Sequence, residues 1–324
     1  MAGGLLNLIS IGNNNIILTG NPTKTFFKVT YAKYTNFGLQ KFRIDYDGLR
    51  DLRLMETSTF SFKMPRYAEL LMDTYVVINL PTIWSPIYNP VQQTGNMWAP
   101  YDYKWIKELG TNMITEITVT CGSQTIQRYS GEYLRAMVER DFSKEKKDLF
   151  DKMTGNTPEL NDPANSFGRI NTYPSAFYQQ EYTAEPSIRG RTLYIPINTW
   201  FTLDSRCAFP MVALQYNELH INVTFRPIKE LFQVRDVFDP VNDFPYVAPD
   251  FNQSQFNMYE FLQTPPADLS IEGAYSNTTN VWNADVHLLS TYCFLSAEES
   301  KKFAAEDQVY LVKDVFEYNF QNLT

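Results

Sequence analysis

Residues 191–227, RTLYIPINTWFTLDSRCAFPMVALQYNELHINVTFRP, decide the fold class. Within them Leu219, Ile221, Val223 and Phe225 alternate with His220, Asn222, Thr224 and Arg226. A period of two over eight residues predicts a strand with one dry face and one wet face. Leu193, Ile195 and Ile197 repeat the pattern upstream, and Phe209-Pro210 breaks the connection between the two runs. Two half-buried antiparallel strands need a second sheet to cover their apolar faces, so the rest of the chain is expected to supply one.

Working outward, residues 25–31 begin a strand with Phe27, Val29 and Tyr31 on one face, continued through Phe37, Phe42 and Ile44. Phe60, Phe62 and Met64 alternate before Pro65, and residues 72–80 form a further strand ended by Pro81. Ile117, Val119 and Cys121 alternate with Glu116, Thr118 and Thr120, and Gly122-Ser123 follows at once. Gly in the first position of a two-residue loop suits a type II′ hairpin turn, with 124–129 as the returning strand. Val286 and Leu288, then Tyr292 and Phe294, mark the last strand of the set. The expected strands are thus 26–46, 57–64, 72–80, 114–121, 124–129, 192–201, 216–226 and 284–295. Their core is expected from Phe27, Val29, Phe60, Phe62, Val76, Ile117, Val119, Leu193, Ile195, Leu219, Ile221, Val223 and Phe225.

The connections between these strands are unequal. Residues 81–113, 130–191 and 227–283 are long; 65–71 and 122–123 are very short. In an eight-stranded antiparallel sandwich successive connections alternate between the two ends, so all three long insertions fall at one end. The second insertion opens with helical spacing, Leu134, Met137 and Val138, then Leu149, Phe150 and Met153, with Ser143 as an N-cap and Gly155 as a stop. Long loops inside a domain usually carry function, and these hold Trp, Tyr, Phe and Pro, which are frequent at interfaces.

Both ends of the sequence read differently. Residues 1–25 are Gly- and Asn-rich with an apolar patch at Leu5, Leu6, Leu8 and Ile9, an arm expected to order against a partner. Ser296-Ala297-Glu298-Glu299 is a capping box that opens a helix through Ala305, so 296–307 reads as a linker helix. Val309, Leu311, Val315 and Phe316 then suggest one more strand in 308–324, the opening of a second unit.

Composition narrows the function. The chain has 324 residues, 23 Phe and 21 Tyr, a strand-favouring aromatic content. Its net charge of −8 is spread along the chain, which offers no footprint for nucleic-acid phosphates. Cys121, Cys207 and Cys293 are too few and too scattered for a disulfide framework and are expected as buried, inert thiols. The first residues lack a basic segment and a long apolar run, Ala2 stands where myristoylation needs Gly, and no stretch approaches the ~18 apolar residues of a membrane span. An intracellular soluble protein is expected, with the sequons at Asn222, Asn252, Asn277 and Asn322 idle.

Catalytic chemistry finds little to use. His220 and His287 are the whole histidine supply, and His220 falls on the polar face of its strand. No pair of Cys or His has zinc spacing, and no phosphate-binding or nucleophile motif occurs. Asp236, Asp239, Asp243 and Asp250 lack the tight alternate spacing of a calcium loop and read as solvated. Glu139-Arg140-Asp141 with Lys144, Lys146 and Lys147 reads as a charged helix face. No enzyme activity, cofactor or metal is expected. The alternative is carbohydrate binding or glycoside hydrolysis, with Trp98, Trp105 and Trp200 stacking on sugar, although no two carboxylates are marked as an acid–base pair.

Five segments in order resemble the major capsid proteins of nucleocytoplasmic large DNA viruses: MAGGLLNLISIG with TGNPTKTFFKVTYAKYTNF (19–37), YKWIKELG (103–110), CGSQTI, VALQYNELHINVTFRP (212–227) and YCFLSAEESKKFAAEDQVYLV (292–312). The resemblance implies an all-β double jelly roll: a first eight-stranded sandwich over 26–295, with 308–324 opening the second. It implies a homotrimer of pseudo-hexagonal outline tiled into an icosahedral shell, assembled in a viral factory in the host cytoplasm. Minor capsid proteins and an internal membrane would meet the arm through Leu5, Leu6, Leu8 and Ile9. Subunit contacts are expected from Trp84, Tyr88, Trp98, Tyr101 and Trp105 in the first insertion and Phe238, Phe244, Tyr246 and Phe251 in the third.

Overall fold

The computed structural model describes residues 35–88, 99–176, 185–214, 216–266 and 273–318. Eight strands build the body: β1 (Phe37–Asp45), β2 (Ser58–Lys63), β3 (Leu70–Asn79), β4 (Ile114–Cys121), β5 (Gln124–Tyr129), β6 (Thr192–Pro196), β7 (Leu219–Phe225) and β8 (His287–Leu295). They form two antiparallel sheets, one ordered β1-β8-β3-β6 and the other β2-β7-β4-β5. The first strand pairs with the eighth, the second with the seventh, the third with the sixth and the fourth with the fifth. That nesting is what a long hairpin produces when it is rolled up, and it defines a jelly roll.

Strand β7 shows why the alternation reads so clearly. It lies between β2 and β4, with Val223 opposite both Phe60 and Ile117, and Ile221 opposite both Phe62 and Val119. Leu219, Ile221, Val223 and Phe225 are buried, while His220, Asn222 and Thr224 face outward and are half-buried. Each of those four side chains contributes about 1.5–3 kcal/mol by leaving water. All the core residues expected from the sequence are buried except Phe27 and Val29, which lie outside the described residues. The β4–β5 hairpin is as expected, with Cys121 opposite Gln124 and Gly122 at φ 60°.

Residues 192–196 and 219–225 are not partners: β6 sits at the edge of one sheet and β7 inside the other. The structure corrects two details of the strand assignment. The strand expected over 192–201 stops at Pro196, and Trp200–Leu203 is a helical turn. Phe209–Pro210 then adds a two-residue ladder beside Leu70 and Leu71, so this break in the pattern still pairs with β3. Finally, residues 308–318, expected as a strand, make no ladder among the described residues. A strand exists only through the hydrogen bonds of a neighbour, and this segment is tied to the body by its own side chains: Tyr310 donates to the Ala208 carbonyl at 3.0 Å, and Glu317 accepts from Ser130 N and Oγ.

Three helices complete the frame. Helix α1 (Gly131–Asp141) is capped by Ser130, whose hydroxyl accepts from Tyr133 N at 3.2 Å, and it buries Leu134, Met137 and Val138. Helix α2 (Lys144–Thr154) buries Phe150, leaves Leu149 exposed, and ends on Gly155 at φ 80°. Helix α3 (Ala297–Ala305) is capped by Ser296 and lays Phe303 against a small cluster of Leu70, Ala208 and Cys293 on the outer face of β3 and β8. This cover accounts for the burial of Cys293 on the outer face of β8. Among the described residues no helix is long and apolar enough to cross a membrane.

The insertions gather at one pole. Asn79 pairs with Thr192 and Val77 with His287, so the end of β3 meets the starts of β6 and β8. In the other sheet Phe225 pairs with Ile114 and Ile117 with Tyr129. Every strand end that leads into or out of 81–113, 130–191 and 227–283 therefore lies on the same side.

Candidate functional site

The three insertions form one tower, and its hub is the first. Ile83 exchanges backbone hydrogen bonds with Ile188, and Ala176 N donates to Ser85 O at 2.8 Å, which ties the first insertion to the second. Trp84 N donates to Phe261 O at 2.8 Å and Ile106 N to Leu231 O at 3.0 Å, which ties it to the third. Tyr103–Trp105 pairs with Phe232–Arg235, which pairs in turn with Tyr246–Val247, giving the tower a three-stranded sheet of its own. Tyr173 pins the second insertion to that sheet: its hydroxyl donates to Tyr103 O at 2.9 Å and accepts from Tyr103 N at 3.0 Å.

Aromatic packing gives the tower a core. Tyr103 stacks on Phe232 at 4.6 Å between centroids, and Trp105 meets Tyr103 edge-on at 5.2 Å and Trp282 at 6.1 Å. Trp105 is 1% exposed and Tyr101 is buried against Phe261. These two were expected at subunit contacts; the chain's own loops have already consumed their surface. Trp84 and Phe251 are half-buried, the latter 6.2 Å from Phe232. Phe244 lies half-buried beside the Arg235 guanidinium, 5.5 Å away. Trp98 and the side chain of Tyr88 are outside the described residues, as are Leu5, Leu6, Leu8 and Ile9 of the arm.

Phe238 and Tyr246 do reach the surface, at 43% and 39% exposure. Alongside them the structure exposes apolar side chains that sequence reasoning passed over: Phe167 and Ile170 in the second insertion and Val241 in the third. Phe167 adopts φ 54°, a left-handed conformation uncommon for such a bulky side chain. The available signal was an apolar residue inside a polar turn, as in Ser166-Phe167-Gly168-Arg169-Ile170-Asn171.

Charge at the tower is arranged for structure. Asp236, Asp239 and Asp250 each accept from a backbone N–H two or three residues on, so they serve turns. Asp102 is buried, and burial pushes its carboxyl up to about 6 despite the Tyr246 hydroxyl and the Arg235 guanidinium beside it. On α1 and α2 the charged face is satisfied within the chain: Lys147 bonds Glu139 at 2.6 Å, and Arg135 meets Glu108, Glu139 and Asp151. His220 is half-buried, 3.9 Å from Glu218 on the outer face of its sheet, and His287 is buried beside Asp285. Cys121 and Cys293 are buried and burial raises both thiols; Cys207 is half-buried. Of the tryptophans expected to stack on sugar, Trp105 is inside the tower and Trp200 is covered by Tyr310 at 5.0 Å, which leaves neither as an open platform.

The chain is a jelly roll whose loops interlock at one pole, with apolar side chains left at the surface. Residues 25–288 match the family described as major capsid protein N-terminus, and the chain belongs to that family. It is 28% identical over 319 residues to the major capsid protein of Phaeocystis pouchetii virus, covering 97% of this chain and 53% of the relative. It is 26% identical to capsid protein 1 of Acanthamoeba polyphaga mimivirus, covering 97% of this chain and 44% of that protein. Among solved structures, the PBCV-1 virus capsid aligns at TM-score 0.50 and 16% identity, covering 89% of this chain and 49% of that one. The Faustovirus major capsid protein aligns at TM-score 0.50 and 11% identity, covering 86% and 58%. The chain thus spans about half the length of the relatives it matches.

Proposed function

We propose that this chain is a structural subunit of the icosahedral shell of a large DNA virus, and that it trimerises into pseudo-hexagonal capsomers. Membership of the capsid family carries the reading, and the tower supports it physically. A rigid two-sheet body fixes the loops, the loops spend their largest aromatics on each other, and Phe167, Ile170 and Val241 stand exposed beside the partly exposed Phe238 and Tyr246. Interfaces between permanent subunits commonly bury more than ~2,000 Å² and favour apolar and aromatic contacts. In this reading 26–295 is the first jelly roll, 296–307 the linker and 308–324 the start of the second. The arm, through Leu5, Leu6, Leu8 and Ile9, meets minor capsid proteins or the internal membrane, and assembly takes place in the viral factory.

Light scattering on the full-length protein tests this. The expected mass is three times that of one subunit, and Val241→Asp with Phe167→Asp should shift it toward the monomer while the melting temperature holds. A strict monomer at high concentration, or a trimer indifferent to both substitutions, would remove the tower from the interface.

A further inference from the structure

Asp102 occupies the junction of the tower sheet. It stands one residue before the strand Tyr103–Trp105, and its carbonyl accepts from Arg235 N at 2.9 Å. Its side chain is 7% exposed, and Tyr246, from the third strand, reaches across the central strand Phe232–Arg235 to donate its hydroxyl to Oδ2 at 3.1 Å. Arg235 Nη1 is 3.6 Å from the same oxygen, beyond hydrogen-bond length. Oδ1 is buried with no hydrogen-bond partner among the described residues.

An ionised carboxylate has about four acceptor sites, and leaving them bare in a buried place is costly. Lys104 makes no hydrogen bond to it among the described residues and acts only through space, because its ammonium lies over the face of the Tyr246 ring, 3.7 Å from the centroid. The other titratable groups around the cluster are Lys107 from the first insertion and Asp162 and Tyr173 from the second; Tyr173 stands near Asp102, Asp162 near Lys104 and Tyr246, and Lys107 near Lys104. So one carboxylate, drawn from the first insertion, is held against the third by a single good hydrogen bond and a long ion pair. A proton on Oδ1 or Oδ2 would remove the buried charge while leaving the strands where they are.

We propose that Asp102 makes the tower a proton-tightened clasp, firm between the first and third insertions when the carboxyl is protonated and slack when it is ionised. The inference rests on the packing of the tower and is independent of its role in assembly. The sign follows from linkage. Burial raises the folded value to about 6 from the ordinary 3.8, so the closed tower binds the proton more tightly than an opened one. Closure is therefore favoured as pH falls from about 7 toward 4, and that advantage is lost as pH rises through about 6. A separation of about two pH units corresponds to a change of about a hundredfold in the opening equilibrium. Glu260, in the third insertion, is pushed up to about 7 by burial alone and acts in the same direction, so it must be controlled for.

Amide hydrogen exchange on the full chain between pH 4.5 and 7.5, corrected for intrinsic rates, reads this directly. Peptides covering 101–106, 231–236 and 245–248 should gain protection by about 10- to 100-fold toward low pH, while 219–225 in the sandwich should not. In a Glu260→Gln background, Asp102→Asn should hold the tower peptides at high protection with no such rise, whereas Glu260→Gln alone should keep the part that Asp102 contributes. Tyr246→Phe, which removes the donor to the ionised form, should move the midpoint upward, and it serves as the test if Asp102→Asn does not fold. An Asp102→Asn protein that keeps the full rise, tower peptides indifferent to pH in the parent, or an unmoved midpoint in Tyr246→Phe would each overturn the clasp.

Discussion

Replacing Trp105 by Ala should cost the subunit itself about 3–5 kcal/mol, before any question of assembly arises. The side chain is 1% exposed and packs edge-on against Tyr103, Phe232 and Trp282. A buried tryptophan removes roughly 150–250 Å² from water, which at about 25 cal/mol per Å² is about 4–6 kcal/mol as an upper bound. Aromatic edge contacts add about 0.5–1.5 kcal/mol. Against this, the buried indole N–H has no hydrogen-bond partner among the described residues, so deleting it relieves a desolvation cost of about 1–3 kcal/mol. Urea denaturation followed by fluorescence and by far-ultraviolet circular dichroism would read the loss as a lower midpoint. Limited proteolysis would locate it in the first and third insertions. Val241→Ala, at a side chain 90% exposed, is the matched control and should stay within about 0.5 kcal/mol. If Trp105→Ala kept the parent's midpoint and lost only its assembled mass, the indole would belong at the subunit surface and the packing argument would fail.

Three further outcomes follow from local geometry. Gly131→Ala should fold poorly or lose more than about 2 kcal/mol, because a Cβ there would stand 2.0 Å from Thr111 O and 2.5 Å from Ile114 O, backbone atoms that cannot swing aside; expression yield and melting temperature check it. Ser130→Ala removes the cap of α1 and the hydroxyl that donates to Glu317, and should lower stability by about 1 kcal/mol with faster exchange at Tyr133. Arg43→Gln should cost about 0.5–1 kcal/mol at neutral pH, since its pair with Asp285 is partly exposed and screened. Arg43 holds the Asp285 carboxyl below its ordinary range, so this stability is present above about pH 4 and fades as pH falls through the lowered value; acid denaturation of the variant should lack that part of the slope.

Much of the body was legible because a strand writes its own environment at every second residue. Leu219 to Phe225, Phe60 with Phe62, and Ile117 with Val119 each face one core, and the Gly122-Ser123 turn states its own register. Loop lengths told where the tower would stand, since odd and even connections must leave a sandwich at opposite ends. The tower's residues carried no such period. Tyr101 and Phe238 look alike in a sequence of Pro, Asp and aromatic residues, yet one is buried on Phe261 and the other is at the surface.

The sequence by itself therefore determined two sheets of alternating strands, a tight hairpin, capped helices and a crowded pole, because these depend on side-chain periodicity and on neighbours a few residues away. Only the tertiary structure decided that β6 and β7 lie in different sheets, that helix α3 covers the outer face of β8, and that Trp105 is core while Val241 is surface. The sheet assignment and the burial in the tower depend on segments about a hundred or more residues apart, such as Tyr103 on Phe232 and Asp102 on Tyr246. Burial in an irregular loop is a property of what folds over it, and no local pattern encodes that.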